Sequence, residues 1–228
     1  MASGKRARRD NVIQLERNPV EYGFTDVKPL NFIQAEYLRA IQSNQIVFGV
    51  GSAGTGKTYV AATYAAGELF HRRIQKIILT RPNVETGRGL GFLPGTLEEK
   101  YAPYLEPFDN VFARSLGKGF YEYALKAKTI EPKPLGFMRG ATFDNCIVLL
   151  DEAQNATKEE MKMLLSRIGK NCKMIISGDV DQSDIPDSGL SDAIHRLDCI
   201  PDIEVVRFMD DDIVRSKMCK QIILAYRD

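Results

Sequence analysis

Short, unbroken apolar runs separated by stretches of helical periodicity are the main pattern of this chain. Residues 46–50 (IVFGV), 76–80 (KIILT), 145–150 (NCIVLL), 173–177 (KMIIS) and 204–208 (EVVRF) are apolar and rich in β-branched side chains, and each is too short for a typical helix. Runs of this kind suit strands covered on both faces of a parallel sheet. Between them lie helical signals. Asn31 is placed to cap a helix through Phe32, Ala35, Leu38 and Ile41 to about Ser43, with Asn44 as its stop. Residues 59–70 (YVAATYAAGELF) are alanine-rich and read as a second helix. Thr157 and Glu160 have capping-box form ahead of an apolar face made by Met161, Leu164, Leu165 and Ile168, closed by Gly169. Another helix is expected around 190–197. Asp211 or Asp212 is expected to cap a final amphipathic helix through Ile213, Val214, Met218 and Ile222. Alternating strands and helices predict an α/β fold of three layers around a mostly parallel sheet, with ligands at the carboxyl ends of the strands.

Two stretches depart from this alternation. From about 85 to 140, between the second strand and the 145–150 strand, glycines and prolines are frequent. Thr96 and Glu99 have capping-box form for a short helix, and 108–125 carries aromatic residues at helix-like spacing broken by Gly117 and Gly119. Such aromatic stripes more often pack than bind. The length exceeds what a simple crossover needs, so this region is read as an insertion with its own task. Residues 1–28 show no sustained periodicity and read as a flexible N-terminal tail or wrapping arm, leaving one domain over 29–228.

Composition narrows the class without fixing it. A length of 228 residues, 27% charged and 44% hydrophobic, fits an ordinary globular domain able to bury a full core. The net charge of +1 argues neither for nor against nucleic acid. Four cations cluster at Lys5, Arg6, Arg8 and Arg9, which a solvated tail or a phosphate-touching arm would both explain. No apolar run reaches the roughly 18–20 residues of a membrane-spanning helix, and no signal-peptide core stands at the start, so a cytoplasmic protein is expected. Cys146, Cys172, Cys199 and Cys219 are widely spaced, and Cys146 and Cys172 flank strand-like runs, so buried thiols are favoured over metal ligands. His71 and His195 stand alone and receive no role.

The chemistry enters where the first strand ends. Gly51, Ser52, Ala53, Gly54, Thr55, Gly56, Lys57 and Thr58 fit G-x-x-x-x-G-K-[ST] at every fixed position, directly after an apolar run and before a helix. Glycines let the backbone turn several N–H groups into one concavity, and the helix adds its positive end, making a site for polyphosphate. Lys57 would reach the β- and γ-phosphates and the Thr58 hydroxyl would ligate Mg²⁺. Tyr59, the next residue, counts among the nucleotide-contacting positions. Asp151 ends its strand where it would hold Mg²⁺ opposite Thr58, and Glu152 would orient the attacking water. The bland alternative is an acidic pair that merely terminates a strand. Gln182, after Gly178 and Asp179, would sense the γ-phosphate or bond that water, although the same residues also make a plausible turn. Arg81 could face phosphate or a nucleic-acid strand, with a surface ion pair as the alternative. Gln34, in the first turn of its helix, is by itself a surface glutamine.

Residues 48–58 (FGVGSAGTGKT), 79–82 (LTRP), 90–95 (LGFLPG), 137–140 (FMRG), 150–155 (LDEAQN) and 177–182 (SGDVDQ) together resemble the PhoH-like family of ATPases, over roughly residues 28–226. The resemblance implies a RecA-like P-loop ATPase core related to the first motor domain of superfamily-one helicases, with ATP and Mg²⁺ as ligands and RNA metabolism as context. It also implies that residues 30–34 (LNFIQ) are an adenine-reading motif, which makes Gln34 an adenine contact.

Such helicases place nucleotide between two RecA-like domains, and the chain after Phe208 is too short for a second. An arginine that stabilises the transferring phosphoryl group would then come from another subunit, with Arg139, Arg207, Arg88 and Arg81 as candidates. A homo-oligomer follows, a hexameric ring being one closed arrangement. The leading expectation is an oligomeric Mg²⁺-dependent ATPase acting on single-stranded RNA or DNA, as a helicase or translocase. The alternative is an ATP-gated scaffold that does not remodel nucleic acid. A third reading, phosphoryl transfer to a small acceptor, is less suited to a water-activating Glu152 and Gln182. No nuclease activity is expected.

Overall fold

The computed structural model describes residues 23–82 and 97–225. Helix α1 (Phe32–Ser43) begins where Asn31 Oδ1 accepts the Gln34 N–H at 2.9 Å and ends against Asn44. Strand β1 (Ile46–Gly51) runs through the phosphate loop into α2 (Lys57–Phe70), and β2 (Lys76–Thr80) follows. Then come α3 (Leu97–Leu116), α4 (Lys118–Lys126), β3 (Ile130–Pro132) and β4 (Cys146–Leu150). The chain closes with α5 (Lys158–Leu165), β5 (Cys172–Gly178), α6 (Gly189–Leu197), β6 (Ile203–Phe208) and α7 (Lys217–Ala225). The capping box at Thr157 is present: its hydroxyl accepts the Glu160 N–H, and Glu160 Oε2 accepts the Thr157 N–H at 3.0 Å.

The six strands lie in the order β3-β2-β4-β5-β1-β6, and every pairing is parallel. Alternate side chains split between two cores, as strand geometry requires. Val47, Ile77, Leu79, Ile147, Leu149, Ile175 and Phe208 pack under α1, α2, α3 and α4. Phe48, Val50, Ile78, Val148, Leu150, Met174 and Ile176 pack under α5 and α6. The fold is therefore the expected RecA-like P-loop class, an αβα sandwich. Register sets the functional end. Leu150 lies opposite Thr80 and Ile176, and Val50 opposite Gly178 and Arg207, so the strands finish nearly level. Arg81, Asp151, Asp179 and the phosphate loop all emerge on that one edge.

The aromatic stretch from Phe108 onward lies between β2 and β4, as expected of the insertion, and it packs into the domain. Phe108, Phe112, Leu116, Tyr121 and Ala124 complete the core beneath α2, and β3 extends the sheet beside β2. Its helix is also long: α3 continues through Pro107, and the break falls at Gly117, whose φ of +78° suits glycine. The last helix begins later than its aspartates suggest. Asp210–Asp212 form a single 3₁₀ turn, and residues 213–216 stay out of the helix because the Val214 N–H is taken by the Gly54 carbonyl at 3.1 Å. Ser216 caps α7 instead, its Oγ accepting the Cys219 N–H at 3.3 Å.

Near the expected tail boundary, Phe24 stacks on Phe70 with ring centroids 5.5 Å apart, and the Thr25 N–H donates to the Ser115 carbonyl. Residues from Phe24 on thus lie on the domain. The basic cluster, Arg88, the 90–95 motif and the Thr96 cap fall outside the described residues. Cys146 and Cys172 are buried free thiols on β4 and β5. Among the described residues no helix is long and apolar enough to cross a membrane.

Candidate functional site

The phosphate loop is held from both sides before any ligand is considered. Behind it, Gln34 is fully buried. Its Nε2 donates to the Thr55 carbonyl at 2.8 Å and its Oε1 accepts the Leu30 N–H at 2.8 Å. Gly56, at φ +89°, leaves room for this amide: a Cβ there would sit 2.5 Å from Gln34 Nε2. Beneath the loop, Thr55 Oγ1 donates to the Ser52 carbonyl, and Ser52 Oγ donates to Asp210 Oδ1 at 2.7 Å. Lys57 Nζ folds over the crest toward the Gly51 and Ser52 carbonyls, 2.5 and 2.7 Å away. Burial pulls the Lys57 ammonium below the usual lysine range, opposed by Asp179, Asp151 and Glu152 nearby. Helix α2 points its amino terminus into the same space, adding partial positive charge.

Facing the loop is the acidic pair. Thr58 Oγ1 lies 3.3 Å from Asp151 Oδ1, so the hydroxyl and carboxylate offer two hard oxygen donors side by side. Arg81, at the end of β2, donates through Nη2 to Asp151 Oδ2 at 2.8 Å and approaches Glu152 Oε1 at 3.4 Å. Burial drives the Asp151 carboxyl upward, while the Arg81 charge pulls it back down. Glu152 takes a left-handed backbone, φ +53°, uncommon for a residue with a side chain. Its carboxylate Oε2 accepts from Gln154 Nε2 at 2.7 Å.

These groups border one cavity of about 440 Å³ at the carboxyl edge of the sheet, lined among others by Lys57, Thr58, Asp151, Glu152, Asp179 and Gln182. Ala53, Gly54, Gly56 and Tyr59 line it too, while Ser52 and Thr55 lie buried under the loop and Gly51 closes the strand. Arg81, Glu152 and Gln182 also border an adjoining cleft of about 510 Å³. Two buried atoms at the cavity, Asp179 Oδ2 and Arg81 Nε, have no protein partner. Buried polar atoms in native structures are nearly always paired, so these suit a hydrated or ligand-bearing site. Among the described residues no group of three or more His, Cys, Asp and Glu is placed to hold a metal alone.

Two of the arginines considered for stabilising the transferring phosphoryl group lie elsewhere. Arg207 is exposed on the edge strand β6, lining a groove with Arg39 of α1, and Arg139 is exposed after the 3₁₀ turn Leu135–Met138. Neither lines the cavity. Arg81 does, but it is paired with the chain's own carboxylates.

Four further residues belong to the site that local patterns had not marked. Gln154 is buried and bridges Glu152 to β5, its Oε1 accepting the Asp179 N–H at 3.0 Å. It sits two residues after the catalytic candidate, and an amide there is the signal that was available. Pro107, Val214 and Arg215 also line the cavity. They arrive from α3 and from the segment after β6, and nothing near them in sequence marks them.

A sequence profile described as PhoH-like protein matches residues 26–227. Protein PhoH of Escherichia coli strain K12 is 44% identical over 209 residues, covering 88% of this chain and 59% of that protein. A PhoH-like protein of Bacillus subtilis strain 168 is 47% identical over 196 residues, covering 85% and 61%. The chain thus spans about six-tenths of the length of these relatives. Among solved structures, the Pif1 helicase from Candida albicans aligns with 89% of this chain and 44% of its own, at 14% identity and a TM-score of 0.44.

Proposed function

Because this chain belongs to the PhoH-like protein family, we infer that it is a Mg²⁺-dependent ATPase whose hydrolysis drives work on single-stranded nucleic acid, RNA before DNA. One observation carries the hydrolytic part: Lys57, Thr58, Asp151, Glu152 and Gln182, contributed by three strand ends, border a single cavity.

The roles follow from the donors present. The loop N–H groups and the amino end of α2 receive the phosphates, and Lys57 turns its ammonium from the loop carbonyls to the β- and γ-oxygens. Thr58 and Asp151 would hold Mg²⁺, which when bound neutralises charge on the β- and γ-oxygens. Glu152 accepts a proton from the attacking water. Its carboxylate is held between Arg81 and Gln154, which orients it toward the cavity. Gln182 supplies an amide able to bond that water or the terminal phosphate. Gln34 retains one N–H and one lone pair beyond its bonds to Thr55 and Leu30, the complement an adenine edge would use, but it is fully buried and outside the cavity lining, so adenine would have to displace what covers it.

The adjoining cleft beside Glu152 and Gln182 gives a partner access to the hydrolytic end of the site, and the exposed Arg139 and Arg207 are free to serve a neighbouring subunit. Steady-state ATPase rates with and without single-stranded RNA or DNA, repeated across salt beside a solution mass measurement, test this reading. Stimulation that fades with salt and a mass above that of one chain support it. An unstimulated monomer would favour the ATP-gated scaffold.

A further inference from the structure

The segment between β6 and α7 is fastened to the phosphate loop at two points and to the start of α1 at a third. Ser52 Oγ donates to Asp210 Oδ1 at 2.7 Å, the Val214 N–H donates to the Gly54 carbonyl at 3.1 Å, and Asn31 Nδ2 donates to the Asp212 carbonyl at 3.2 Å. These bonds span more than 150 residues of sequence and fix where residue 215 must stand. Its side chain lies along the crest of the loop. A Cβ placed on Gly54 would be 2.9 Å from Arg215 Cδ and 3.1 Å from Nε, and Gly54 itself has φ +82°. Glycine at 54 is therefore required both by the backbone and by the arginine that covers it.

Charge separates Arg215 from the other cations of the cavity. Lys57 is bonded to loop carbonyls and Arg81 to Asp151 and Glu152. Among the described residues Arg215 makes no hydrogen bond or ion pair, although it lines the same cavity. A guanidinium so placed carries five donors in a planar fork, matched to phosphate oxygens. The loop N–H groups serve the inner phosphates. The group left for a side chain reaching across the crest is the terminal one.

We propose that Arg215 binds the γ-phosphate of ATP from within the same chain, so that nucleotide state is read by the segment leading into α7. The proposal rests on the nucleotide reading above. It supplies in cis a charge that sequence reasoning had sought only from a neighbouring subunit.

Equilibrium titrations of the full chain with Mg²⁺ and either fluorescent ADP or a fluorescent non-hydrolysable ATP analogue test it. Arg215→Ala should weaken the triphosphate about tenfold to a hundredfold, the range expected for a charge-assisted bond, and change ADP by less than about threefold. Arg215→Lys should recover part of the loss. If the alanine variant does not fold, Arg215→Gln, which keeps the stem against Gly54 and removes the charge, is read with the same two ligands. Equal weakening of both nucleotides would mean that Arg215 only props the loop, and no change in either would mean that it contacts nothing; each overturns the proposal. If the unmodified chain binds neither nucleotide, the nucleotide reading itself fails.

Discussion

Arg81 Nη2 lies 2.8 Å from Asp151 Oδ2, joining the ends of two adjacent parallel strands beside the cavity at the carboxyl edge of the sheet. The Asp151 side chain is only 10% exposed and that of Arg81 21%, so the pair is well shielded from water. Arg81→Ala would leave a buried carboxyl without its nearest cation, and burial would push it further toward the protonated form. The nucleotide-free protein should lose about 1–3 kcal/mol of stability in denaturant unfolding. An unchanged midpoint would mean that the pair is not formed in solution.

Gln34 ties the first helix to the phosphate loop rather than lying on the surface. Gln34→Ala strips partners from the Thr55 carbonyl and the Leu30 N–H together. A loss of about 1–3 kcal/mol in unfolding free energy is expected, with a higher KM for ATP. If the remaining amide capacity addresses adenine, the ratio of ATP to GTP affinity should also narrow. A variant whose ATP and GTP affinities fall in equal proportion would restrict Gln34 to supporting the loop.

Gln154 is the residue on which the orientation of Glu152 depends. Its amide holds the Glu152 carboxylate with one end and the Asp179 N–H with the other. Gln154→Ala should lower kcat by about tenfold to a hundredfold, as misplacement of a reacting group does, while the affinity for Mg²⁺-ADP stays nearly constant. Loss of ADP affinity in step with kcat would show instead that the substitution disturbs the loop itself.

What the sequence made legible, and what it did not, divides along local and non-local lines. The central strands announce themselves because residues such as Val148 and Ile175 are covered on both sides, which leaves no polar position to interrupt the run. The loop and the Asp151–Glu152 pair are contiguous in sequence, so they too could be recognised. β3 escaped notice because a three-residue edge strand carries too few side chains to make a pattern. α3 is longer than the short helix expected after Thr96, because its apolar face beneath α2 outweighs the preference of Pro107 to end a helix. The aspartates at 210–212 carry an N-cap signature, and the bond from Val214 to Gly54 overrides it. Gln154 and Arg215 acquire their places only when β5 and the phosphate loop are brought beside them, and no window of sequence contains that information.

In the proposed reaction Glu152, held between Arg81 and Gln154, activates water against ATP bound over Lys57 and Thr58. Glu152→Gln keeps the size and much of the hydrogen bonding of the side chain and removes its basicity. Single-turnover hydrolysis of pre-bound ATP, measured beside ATP affinity, separates this role from nucleotide binding. The expected result is a fall of about 10²–10⁴-fold in the hydrolysis rate with affinity within about threefold of the unmodified protein. Unchanged single-turnover hydrolysis in the Glu152→Gln protein would contradict it.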